Sequence, residues 1–358
     1  MLISWRTVSP LALLVSAAFV IASCGDDDDG DSGDGGGEVT TVTYAQPTPP
    51  SLLFYPPIVA DKLGFFEDEG VSAELAPAAE EIPMTAFVET GDADIALADL
   101  DEVAVGVAKG GDYEVVFCPQ HSATEGTVVP ADSPIEEFGE LAGRNVGLAS
   151  EENTGIFEAQ LEAAGVSADD VETVVVGTSG PTVANAVNDG EIDAYTAAVS
   201  DFTALQANDI DLRNITPPEV AALPGNPMMV SPETLESKRD ALVGFLRAWA
   251  MAQYVGFVNP DVVEQIVRDE VPEEWRKEEV GEAALTQAIE LFQPEGDLIG
   301  ELRPEVWENG QELLASVGII EQTAPVDEIL NDELIEEIND FDRAEVEARA
   351  EEYAAQGS

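Results

Sequence analysis

Residues 89–99 read ETGDADIALAD and residues 188–198 read NDGEIDAYTAA. In each, a glycine ends a helical stretch, an acidic residue follows, and an aspartate introduces an apolar strand. Glycine at that point supplies the helix C-cap, because it takes the left-handed conformation without a steric penalty. Two copies of one turn, far apart in the chain, predict two lobes built on one plan.

The surroundings of both copies follow the same grammar. Before the first come a strand at 38–46 (EVTTVTYAQ), a loop and amphipathic helix within 51–70 ending at Gly64, and a strand at 71–77 (VSAELAP). A helix then closes at Gly91, and a buried strand runs from Ile95 to Ala98. Around the second copy stand a strand at 143–149 (GRNVGLA), a helix at 153–166, a strand at 171–177 (VETVVVG), and a further helix, turn and strand. Alternating strands and helices predict α/β lobes with mainly parallel sheets. From Leu235 the pattern becomes helical, including 241–257 and 304–320, which suits an ending that packs back on the first lobe.

The N-terminus reads differently. Arg6 precedes an apolar run from Leu11 to Ala22, which predicts a secretory signal peptide over residues 1–23. The run is shorter than the roughly 20 residues a membrane span needs, which disfavours an uncleaved anchor helix. Ile21-Ala22-Ser23-Cys24 resembles the bacterial lipobox, in which Cys24 would carry lipid and become the new N-terminus. Gly25 to Glu38 holds seven acids, six glycines and one serine, a composition expected to form a disordered, extended tether.

Of the 358 residues, 73 are acidic and 14 basic, a net charge of −59; without Arg6 it is −60. That balance excludes nucleic acid and a basic patch for anionic lipid, and suits a surface kept hydrated in high salt. Cys118 is left alone once Cys24 is lipidated, so no intrachain disulfide is expected. The only histidine, His121, follows Cys118 by three residues in VFCPQHS. Pro119 makes a helical pairing of the two unfavourable, so a buried structural cysteine is the reading over a Cys-His nucleophile. Neither 92–103 nor 26–34 has EF-hand spacing, and no metal or cofactor is expected.

Five phrases occur in order: ADKLGFFEDEGVSAEL, VETGDADIALAD, PIEEFGELAGRNVGLA, LEAAGVSADDVETVVVG and NDGEIDAYTA. Together they resemble the substrate-binding proteins of ABC importers of the sulfonate, nitrate, taurine and thiamine-pyrimidine type. The later LLASVGIIEQTAPVDEILNDELIEEIN is similar to the same group's C-terminal helices. The resemblance implies a periplasmic-binding fold of class II, with two α/β lobes joined by two crossovers and one solute in the cleft. It also implies a membrane permease and its ATPase as partners of a monomeric binding protein without turnover. The expected divisions are lobe I at 39–120, lobe II at 121–224, a helical return to lobe I at 225–340 and a helical tail at 341–358.

In open α/β sheets the ligand lies beyond the carboxyl ends of the strands. After the first strand that position holds Ser51, Phe54 and Tyr55, the two aromatics being equally readable as core. Met84 opens a helix as cleft wall or core, and Asp99 and Asp101 follow the next strand. In lobe II the corresponding positions are Ser150 or Asn153 as helix cap, Thr154 and Gly155 with exposed backbone N–H groups, Ser179, Ser200 and Asp201. Asn226 falls near the hinge of the return crossover. These loops hold no Lys or Arg, whereas Asp99, Asp101, Glu151, Glu152 and Asp201 lie on them, and Arg144 lies within a strand. The expected solute is therefore an amine-bearing molecule or N-heterocycle such as an aminopyrimidine. Two alternatives stand beside it, a sulfonate- or nitrate-like oxyanion and a pyrimidine-synthesising enzyme on the same fold.

Overall fold

The structure is a computed structural model describing residues 39–356 except 78–81, 152, 207, 209 and 295. The expected signal peptide, the Cys24 lipidation site, the acidic tether and Glu152 lie outside the described residues.

β-branched and apolar residues place β1 (Thr40–Ala45) parallel to β2 (Val71–Leu75) on one side and to β3 (Ile95–Leu97) on the other. Sheet I is completed by β10 (Met228–Val230), antiparallel between β3 and the edge strand β4 (Glu114–Phe117). In lobe II, β6 (Asn145–Leu148) lies parallel to β7 (Glu172–Val175) and β8 (Ala194–Ala198). There β5 (Glu125–Pro130) runs antiparallel between β8 and β9 (Leu212–Asn214). The orders β2-β1-β3-β10-β4 and β7-β6-β8-β5-β9 are the same arrangement twice. The fold is α/β, two lobes joined by two crossovers, one from β4 to β5 and one from β9 to β10.

The repeated turn has a defined task. Gly91 and Gly190 both take left-handed conformations, φ 75° and 71°. Each then delivers an aspartate to the strand beside it. Asp94 accepts the Thr43 backbone N–H at 2.9 Å, and Asp193 accepts that of Asn145 at 3.0 Å. In return the Asp94 and Asp193 N–H groups both donate at 2.7 Å to the carbonyls of the same two residues. Lys238 and Arg144 pair with the two carboxylates.

Each sheet carries apolar clusters on both faces. The long helix Pro232–Val258 covers one face of sheet I, burying Phe245 and Trp249 against Tyr44. Among the described residues it alone is long and apolar enough to cross a membrane, and most of it is buried in this core. The return segment does more than cover lobe I. Helix Glu278–Leu291 also packs against lobe II helix Val199–Gln206, and helix Pro304–Ser316 against lobe II helix Asn153–Ala163.

The crossovers run side by side. Gln120 and Gly225 form an antiparallel bridge, and Gln120 Oε1 accepts from Asn226 Nδ2 at 3.3 Å. A side chain on Gly225 would stand 2.7 Å from both Gln120 Oε1 and the Ser122 carbonyl, so only glycine permits this approach. Arg303 Nη2 donates to the carbonyls of His121 and Ala222, one on each crossover.

Candidate functional site

The strand order reverses between β1 and β3 in sheet I and between β6 and β8 in sheet II, which marks the carboxyl ends of these strands as the ligand position. Asp99 follows β3 there. Its backbone caps helix Leu100–Ala108, but its carboxylate makes no cap hydrogen bond and instead accepts from Thr124 Oγ1 at 3.4 Å. Asp101 lies in the first turn of that helix. From lobe II, Asp201 lies in the first turn of helix Val199–Gln206.

The fourth carboxylate is Glu125, which sequence reasoning missed. It opens β5, and because β5 is antiparallel its amino end lies at the carboxyl ends of β6 and β8, opposite Ala198. Glu125 Oε1 accepts from Asn153 Nδ2 at 2.6 Å, and Asn153 Oδ1 accepts from both the backbone and the hydroxyl of Ser150. The acid beginning the apolar run EGTVVP was the available signal.

Asp99, Asp101, Thr124 and Glu125 form the polar wall of a cavity of about 300 Å³ whose other walls include Ile156, Leu223 and Ile319. Both lobes, both crossovers and the C-terminal segment contribute to it. Among the described residues no Lys or Arg lines it. Asp99 is open to solvent, yet so much protein surrounds it that desolvation, then Asp101 and Glu102, push its carboxyl up to about 7. Accessibility together with desolvation marks the floor of a cleft. Glu125 rises to about 7 through burial, then the Asp99 and Asp101 charges, against the opposing hydrogen bond from Asn153. Asp101 and Asp201 are raised by burial. Such a site suits positive charge, which would stabilise carboxylates that the fold alone leaves partly protonated.

The other expected residues are dispersed. Phe54 and Tyr55 are core, 1% and 0% exposed, and the Tyr55 hydroxyl donates to the Gln253 carbonyl. Ser51 is half-buried beside them. Met84 is half-buried against the lobe I core. Thr154 and Ser179 are exposed, Ser179 preceding helix Gly180–Asn188. Asn153 begins its helix, and its side chain is committed to Ser150 and Glu125. Asn226 lies on the second crossover, buried, with a left-handed φ of 52°.

Cys118 is buried and its thiol donates to the Gln120 carbonyl at 3.1 Å. His121 is buried, and desolvation and Arg303 lower it to about 4. A larger hollow of about 900 Å³ lies among helices Met84–Thr90, Leu100–Ala108 and the start of Pro232–Val258. Lined wholly from lobe I, it lies apart from the switch points.

The family model described as NMT1/THI5 like matches residues 53–261, more than half of the chain. The chain belongs to the NMT1/THI5-like family. The aliphatic sulphonate binding protein SsuA of Escherichia coli has a similar structure, with TM-score 0.62 and 14% identity over 82% of this chain and 91% of that one. A putative sulfonate-binding SsuA from Methylobacillus flagellatus gives TM-score 0.61 and 16% identity over 83% and 93%. The desulfurization enzyme DSZB gives TM-score 0.56 and 16% identity over 84% and 98%. These likenesses confirm the periplasmic-binding architecture of this NMT1/THI5-like chain. The curated proteins contain no match to the sequence.

Proposed function

We propose that this chain is the extracytoplasmic solute-binding component of an ABC importer, anchored by lipid on Cys24 and working as a monomer without turnover. It clamps a small organic solute bearing an amine or protonatable ring nitrogen between its lobes and delivers it to a permease driven by an ATPase. The observation behind the choice of solute is the cavity lined by Asp99, Asp101 and Glu125 with no basic residue among the described ones, Asp201 standing nearby. Its apolar side would take the solute's carbon skeleton, and closure brings the two lobes' carboxylates to one molecule.

The names of the SsuA neighbours favour a sulfonate as the second reading. Against it stand the carboxylates where an anion would need donors, and the commitment of Asn153 to Glu125. DSZB keeps an enzymatic reading in view. Against it, Cys118 is buried with its thiol donating to a backbone carbonyl, and His121 is buried and depressed to about 4, where it is a weak base.

Titration of the purified domain with an aminopyrimidine, a primary amine and an alkyl sulfonate tests the reading. The nitrogen compounds should bind and compact the protein in small-angle scattering. Tight sulfonate binding, or release of a chemically altered product, would refute it.

A further inference from the structure

A separate cavity of about 370 Å³ lies in lobe I, among β1, the edge strand β2, helix Tyr55–Lys62 and the end of helix Pro260–Glu270. It shares no lining residue with the cleft cavity. Tyr44, Phe54 and Phe66 form part of its wall. Gln46, 4% exposed, also lines it. Gln46 Nε2 donates to the Thr48 carbonyl at 2.9 Å, which fixes the amide's orientation and leaves Oε1 buried with no partner among the described residues.

A buried amide oxygen without a donor costs stability unless something supplies one. The charges at this cavity indicate what that is. Asp61 is exposed, and Lys62 is held by Glu270 at 2.7 Å, so the three leave one net negative charge. The Asp61 charge is felt inside, where it adds to burial in raising the Tyr44 hydroxyl to about 12.

We propose that this lobe I cavity is a second binding site, for a small planar cation carrying N–H donors, such as an amidine or a protonated amino-heterocycle. The N–H group satisfies Gln46 Oε1, the aromatic walls attract the cation, and Asp61 balances its charge. The volume is within the range of small-molecule sites. An anion meets two carboxylates and a single lysine already held by one of them.

Benzamidine is the probe, with neutral benzamide and anionic benzoate as isosteres. The Trp249 ring lies edge-on to Tyr44 with centroids 6.4 Å apart, so tryptophan fluorescence reports occupancy. The whole chain should give a saturable change with benzamidine, a weaker one with benzamide and none with benzoate. Gln46→Leu should weaken benzamidine about tenfold, the worth of one lost hydrogen bond to a charged group. Ala73→Phe, which fills the cavity from β2, should abolish the response, and the cleft variant Asp99→Asn should retain it. The proposal is overturned by a response that survives Ala73→Phe, by one that disappears in Asp99→Asn, by benzoate binding as well as benzamidine, or by no saturable response to benzamidine. If Ala73→Phe fails to fold by circular dichroism, an unchanged affinity in Gln46→Leu is sufficient to overturn it.

Discussion

Asp94 and Asp193 are counterparts: each holds the backbone of the strand beside it through one N–H accepted and one donated. Replacing either with Ala leaves a partly buried strand N–H without its acceptor, and should cost about 1–3 kcal/mol. Urea unfolding of Asp94→Ala and Asp193→Ala should show both lowered midpoints. An unchanged midpoint in one would mean that the two turns are alike in shape only.

The cleft carboxylates are tested one at a time. Glu125→Gln and Asp99→Asn should each weaken a cationic solute by about 1.5–3 kcal/mol, the worth of a hydrogen bond to a charged group. Calorimetric titration measures this. Binding unchanged in both variants would place the solute elsewhere.

The pH dependence has a definite sign. Asp99 and Glu125 are raised to about 7 in the folded chain, so folded protein holds protons that unfolded protein has already lost. Their contribution to stability is full below the ordinary carboxylate range and is lost as pH rises through about 7. The difference in Tm between about pH 5 and about pH 8 should shrink in the Asp99→Asn, Glu125→Gln double variant. A cation replaces the protons, so its affinity should rise across the same window, with a heat of binding that varies with the buffer. A sulfonate would bind better toward the acid side.

Screening should matter for the whole surface. With a net charge of −59, the folded state suffers self-repulsion that salt relieves. Tm should rise when potassium chloride is increased from about 0.05 M to about 1 M, where the Debye length falls to about 3 Å. A flat profile would exclude repulsion as a significant cost.

The anchor has its own test. Cys24→Ser should yield protein without lipid and shift it from the membrane fraction to the soluble one. Retention in the membrane without lipid would restore the uncleaved helix reading.

What the sequence disclosed follows the range of the forces involved. Gly91, Asp94, Gly190 and Asp193 were legible because a helix stop and a strand start are local events. So were β3, β6 and β8, which are buried on both faces and read as apolar runs. Strands β4, β5, β9 and β10 are not legible in the sequence, being short and defined by partners distant in sequence. That is why Glu125 was missed, since its place depends on β5 running against its neighbours. The positions of Asp99, Asp101 and Asp201 at strand ends were legible, because each follows a parallel strand. Phe54 and Tyr55 stayed ambiguous because an aromatic at a helix start looks the same in sequence whether it faces ligand or core.

The position of β10 has a consequence for the order in which the chain can fold. Sheet II draws all its strands from residues 125–214 without interruption, whereas in sheet I β4 is joined to β3 only through β10, which follows the whole of lobe II. During synthesis lobe II can therefore complete its sheet while lobe I still lacks its penultimate strand. Until Met228–Val230 arrives, β3 and β4 present unpaired edges toward one another, and that interval is when the nascent chain is most open to mispairing and most in need of a chaperone.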